Sequence, residues 1–146
     1  THEDDVADAA QYATRFGARR IIHRADADAM PDAEWIVEGV ETVRLAPQFE
    51  LIPVPGHTPG SSALLYDSRF LFSGDHLWWD PDARSLEAPR RLVWRSRAMV
   101  QSIEKLLNYR FEWVLPGHGD RVKLPSDEMQ AHLRFLVDQR RSALAS

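Results

Sequence analysis

The chain has 146 residues, 44% hydrophobic and 27% charged, with a formal net charge of −4. That length fits one domain, residues 1–146, and the acidic balance offers no basic surface for nucleic acid or an anionic membrane. There is no cysteine, which excludes disulfides, thiolate metal sites and cysteine nucleophiles and leaves His, Asp and Glu to hold any metal.

Asp4 or Asp5 is placed to cap a first helix, whose apolar face is Val6, Ala9, Ala10, Ala13 and Phe16 and which stops at Gly17. Arg20–His23 (RIIH) reads as a short buried strand. Ala25–Met30 is a turn or short helix ended by Pro31. From about Glu41 the period changes to that of strands: ETVRLA, FELIPV, SALLYD and RFLFSG, separated by Pro, Gly or Asp-Ser. Tyr66–Phe70 is a tight hairpin. Met99, Val100, Ile103, Leu106 and Leu107 line a second helix capped by Ser96. Trp113–Leu115 is another strand, halted by PGHG. Ser126 caps a last helix that buries Met129, Leu133, Leu136 and Val137. This order predicts a mixed α/β (α+β) fold, a sheet with helices packed on it.

No apolar run reaches the roughly 18 residues of a membrane span, and a cytoplasmic location is the default expectation. The chain starts at Thr1 without a methionine, so a leader removed or left out stays open.

The candidate functional residues sit where strands end. His57 lies between Pro55-Gly56 and Pro59-Gly60, a stiff loop that leaves its side chain little freedom to lose. Asp75 ends the apolar strand RFLFSG, at a sheet rim. His118 repeats the arrangement between Gly117 and Gly119. His2 precedes an acidic turn. Each has an ordinary alternative as a solvated or turn-capping residue. Together they supply the imidazole and carboxylate donors that a divalent cation takes when thiolates are absent. His23 reads as packed, His132 as surface or core edge, and His76 as a residue behind the site. Trp78, Trp79, Arg90 and Arg91 read as packing and solvated residues rather than a site.

Four pieces, in order, resemble the metallo-β-lactamase superfamily, most nearly its glyoxalase II-like branch. They are Thr1-His2-Glu3-Asp4-Asp5, Pro55-Gly56-His57-Thr58-Pro59-Gly60-Ser61, Phe72-Ser73-Gly74-Asp75 and Leu115-Pro116-Gly117-His118-Gly119. The resemblance implies a four-layer αββα sandwich with metals at one edge. It implies His2, His57 and Asp75 at a first metal site, and His118 and Asp75 at a second. The chain departs from the family's T-H-x-H-x-D-H after His2. Without a gap, Asp4 stands for the second histidine. With a two-residue deletion, the preferred register because it keeps the helix phase, Asp4 is the second-site aspartate and Asp5 stands for its histidine. The strands that precede this motif in the family are absent, so the N-terminal sheet is incomplete. A missing N-terminal segment or another chain is expected to cover the exposed sheet face.

The resemblance implies zinc, one or two ions, or alternatively iron. The first expectation is hydrolysis of a small-molecule thioester, ester or amide by a metal-bound hydroxide, with Asp5 orienting the water or taking its proton. A second is a mononuclear iron oxygenase like the persulfide dioxygenases of the same superfamily, on His2, His57 and Asp75. A third is a degenerate, non-catalytic interaction module.

Overall fold

The computed structural model describes residues 2–91 and 93–145. Thr1, part of the first motif, and Leu92 lie outside the described residues.

A single 3-10 turn, Glu3–Asp5, precedes helix α1, Ala9–Phe16. The helix starts later than an Asp4 or Asp5 cap would give. Ala7 adopts a positive φ of 37°, a conformation that breaks helical propagation, so Asp8 becomes the N-cap residue. At the other end Gly17 takes the left-handed conformation and its N–H bonds Ala13 O, as a C-terminal glycine does.

Strand β1, Ile21–His23, runs into a 3-10 helix, Arg24–Ala29, and pairs in parallel with β2, Trp35–Val37. Ile22, Ala27 and Met30 form a small core under this unit, joined by Val6, Ala9, Ala33 and Ile36.

A six-stranded sheet follows. Its strands are β3 (Val43–Ala46), β4 (Phe49–Pro53), β5 (Ser62–Tyr66), β6 (Phe70–Gly74), β9 (Trp113–Pro116) and β10 (Val122–Lys123), in the order β10-β9-β6-β5-β4-β3. The β6–β9 pair is parallel and the rest antiparallel. Asp67 and Ser68 both take positive φ between β5 and β6, the type I′ geometry that matches the twist of a hairpin. A separate hairpin, β7 (Trp78–Asp80) with β8 (Ser85–Glu87), lies between β6 and helix α2, Ser96–Leu106. The N-cap of α2 is Arg95, with Ser96 the first helical residue. Helix α3 spans Ser126–Ala145.

Alternation along the strands divides the sheet. Ile52, Ala63, Leu65, Leu71 and Val114 are buried with Met99, Ile103 and Leu106 of α2 and Met129, Leu133 and Leu136 of α3. The other face carries Leu51, Leu64, Phe72 and Leu115 in register across four strands. Beside that row Phe49, Tyr66, Phe70 and Trp113 stack, with ring centroids 4.5, 5.9 and 6.3 Å apart. Phe72 is 40% and Phe49 37% exposed. No helix among the described residues is long and apolar enough to cross a membrane.

Candidate metal centre

Four chain segments meet at the ends of β4, β6 and β9. The Glu3–Asp5 turn brings His2, Asp4 and Asp5; the loop after β4 brings His57; Asp75 follows β6 and His118 follows β9. The parallel β6–β9 pair explains the last two. Gly74 is opposite Pro116, and Gly117 N–H donates to Gly74 O at 2.9 Å, so both following residues leave at one rim.

His2 is buried, at 2% exposure. Its Nε2 lies 3.4 Å from Asp75 Oδ2 and 3.7 Å from Asp4 Oδ2. His57 Nε2 lies 3.6 Å from Asp4 Oδ2 and 3.8 Å from Asp75 Oδ2. The two imidazoles meet edge to face at 4.8 Å. These contacts exceed well-formed hydrogen bonds. They suit a shared cation instead: donors about 2.0–2.1 Å from a tetrahedral zinc are about 3.4 Å from one another. Two overlapping sets, His2–Asp4–His57 and His2–Asp5–Asp75, each keep their ligand atoms within 4.8 Å of one another. The donor chemistry and its spacing therefore fit a divalent metal ion.

Asp75 faces both ways. Its Oδ1 is 2.6 Å from His118 Nδ1, and this contact, more than the charges of Asp75 and Asp5, raises the His118 pKa above its ordinary value. A Cβ built on Gly117 would stand 3.0 Å from Asp75 Oδ1 and 3.3 Å from Asp5 Oδ2, so a glycine lets the backbone approach the carboxylates. Asp4 thus stands with His2 and His57, where the ungapped register puts it; the two-residue deletion would put it on the His118 side. Asp5 is the carboxylate that faces His118.

His23 instead holds a turn: its Nε2 is 2.8 Å from Gly39 O, and its Nδ1 accepts from Ala25 N. His132 packs on Trp79 with ring centroids 5.2 Å apart. His76 is 1% exposed, with neither ring nitrogen hydrogen-bonded among the described residues. Burial, helped by the His57 charge, pushes its pKa down to about 3. Trp78 packs on Gly119, and Arg90 pairs with Glu87 at 3.2 Å.

Two features beside the centre carry no clear sequence signal. Asp26 is buried and bonds the loop holding His57. An open cleft of about 610 Å³, lined by Glu3, Asp4, His57, Thr58, Pro59, Val93 and Trp94, adjoins the donors. Thr58 lies in the Pro55–Ser61 loop motif, yet only the position of Asp26 shows what its hydroxyl does.

The sequence model of the metallo-beta-lactamase superfamily matches residues 2–118. The chain belongs to that superfamily. Two curated relatives are each named hydroxyacylglutathione hydrolase. The one from Acidiphilium cryptum (strain JF-5) is 33% identical over 78 residues, 53% of this chain and 32% of its own length. The one from Anaeromyxobacter dehalogenans (strain 2CP-C) is 37% identical over 79 residues, 53% of this chain and 30% of its own length. The matched stretch is thus about a third of those relatives. Among solved structures, a metallo-beta-lactamase from Pontibacter korlensis aligns with TM-score 0.64 at 19% identity, covering 94% of this chain and 66% of that one. TTHA1623, solved in a di-iron-bound form, aligns with TM-score 0.56 at 25% identity, covering 90% and 71%.

Proposed function

We propose that this chain carries the metal centre of a hydrolase that cleaves a small thioester, ester or amide. The observation that carries the reading is the convergence of His2 Nε2, His57 Nε2, Asp4 Oδ2 and Asp75 Oδ2, with contacts of 3.4–3.8 Å. The relatives named hydroxyacylglutathione hydrolase favour a thioester among the three classes.

His2, His57, Asp4 and Asp75 would hold one divalent cation, zinc in the first instance. Asp5 and His118, with Asp75, stand where a second would bind. A bound cation supplies Lewis acidity, lowering the pKa of a coordinated water from about 15.7 to about 7 and polarising a carbonyl. With one cation bound, Asp5 is uncoordinated and takes or orients the proton of the attacking water. His118 holds a proton at Nδ1 against Asp75 Oδ1, which must leave before that nitrogen can ligate. The cleft beside Asp4 and His57 receives the acyl portion.

The test is turnover of S-hydroxyacylglutathione and of matched ester and amide substrates by the zinc-loaded full-length protein. The reading predicts hydrolysis that Asp75→Ala abolishes. Absence of turnover on every substrate, with metal bound, would overturn it.

A second reading has one observation in its favour. Two of the four converging donors are carboxylates, which suit harder cations than an all-histidine set does, and two histidines with a carboxylate form the iron site of oxygenases. The 25%-identical structure in a di-iron-bound form agrees with it. Iron retained on purification, with oxygen uptake on adding a persulfide, would favour this reading over hydrolysis.

A further inference from the structure

We propose that Asp26 is a positioning residue that holds the His2–Asp5 turn and the His57 loop at one fixed separation, an inference that rests on the metal-centre reading. Asp26 lies on the 3-10 helix after β1, 1% exposed. Its carboxylate accepts three donors from two other segments. Oδ1 accepts Gly60 N–H at 2.7 Å; Oδ2 accepts the Thr58 hydroxyl at 2.5 Å and Glu3 N–H at 3.2 Å. Glu3 sits between His2 and Asp4, and Thr58 follows His57. One carboxylate therefore ties down two of the three backbone segments that present the converging donors, the third being the end of β6 that carries Asp75.

The surrounding groups fix the direction of these bonds. The Thr58 hydroxyl proton goes to Asp26, so Ser61 Oγ–H donates to Thr58 Oγ1 at 2.8 Å while accepting Thr58 N–H at 3.0 Å. Gly60 completes the fit: a Cβ there would lie 2.5 Å from Asp26 Cγ and 2.6 Å from Oδ1. A centre assembled from separate segments depends on such outer partners, because donors misplaced by a fraction of an ångström bind metal poorly.

Asp26→Asn tests the assignment, because an amide nitrogen must face either the Gly60 N–H or the Oδ2-side donors. Thr58→Val removes one bond and Thr58→Ser keeps it. Leu106→Ala, in the core away from the centre, controls for general destabilisation. Cobalt(II) titration of the full-length protein, followed by the visible spectrum of the bound ion, reads affinity and ligand geometry. The result expected is cobalt binding about 10–100-fold weaker in Asp26→Asn and Thr58→Val, with an altered spectrum. Thr58→Ser and Leu106→Ala should stay near wild type. In the metal-free protein, Gly60 and Glu3 amide exchange should quicken in Asp26→Asn. Wild-type affinity and spectrum in Asp26→Asn, equal weakening in Leu106→Ala, or unchanged exchange at Gly60 would each overturn the positioning role. A wild-type protein that binds no cobalt, zinc or iron would instead overturn the metal-centre reading and remove the role with it.

Discussion

His118 Nδ1 lies 2.6 Å from Asp75 Oδ1, while the other oxygen of Asp75 faces His2 and His57. One carboxylate thus joins two sets of donors, and the His118 pKa is raised by the contact. A histidine whose folded pKa is raised contributes stability in full below its unfolded value, about 6.5, and loses it as pH rises through the folded value. In the metal-free protein the stability difference between wild type and His118→Gln should shrink from pH 6 upward in urea unfolding. A difference that grows over that range would contradict the contact. Metal affinity should move the other way, rising with pH as the same proton leaves.

Asp75→Ala removes the shared carboxylate and should lower bound metal sharply. His132→Ala should leave metal content intact, since that ring packs on Trp79. Elemental analysis of the two purified variants decides this.

Asp4 and Asp5 are adjacent and both lie near His2, but their other neighbours differ. Asp4 Oδ2 is within 3.7 Å of both His2 Nε2 and His57 Nε2, whereas Asp5 Oδ2 approaches Gly117 and its charge reaches His118. Asp4→Ala should weaken the first metal by at least about tenfold, the lower end of what loss of an outer partner costs. Asp5→Ala should chiefly lower turnover. Asp4→His, which exchanges carboxylate for imidazole, should raise zinc affinity relative to manganese. Competition against a chromogenic chelator measures the two Asp4 variants, and a turnover assay of the metal-loaded protein measures Asp5→Ala.

The strands around this centre were legible because they alternate and are punctuated. FELIPV, SALLYD and RFLFSG became β4, β5 and β6. Trp35–Val37, Trp78–Asp80 and Ser85–Glu87 are three residues each, too short to show a period. An Asp4 or Asp5 cap starts the first helix too early, because the backbone at Ala7 breaks the helix from them. His57, Asp75 and His118 stood out because glycines and prolines frame them. Asp26 did not, since its bonds to Thr58 and Gly60 span 32 and 34 residues, a relation with no local pattern.

Gly119 takes φ +89°, and a Cβ there would meet Trp78 Cγ at 2.8 Å. Gly119→Ala therefore combines backbone strain with a steric clash. It should cost about 1–3 kcal/mol in denaturant unfolding of the metal-free protein and displace His118, weakening the second metal more than the first. A stability equal to wild type would show that the loop relaxes freely.

The proposed metal centre has His2, His57, Asp4 and Asp75 as its ligands. Elemental analysis of the full-length protein purified without chelator, beside its Asp75→Ala variant, tests it most directly. Near-stoichiometric zinc or iron is expected in the wild type and a sharp loss in the variant. No metal in the wild type, even after zinc or iron is added back, would contradict it.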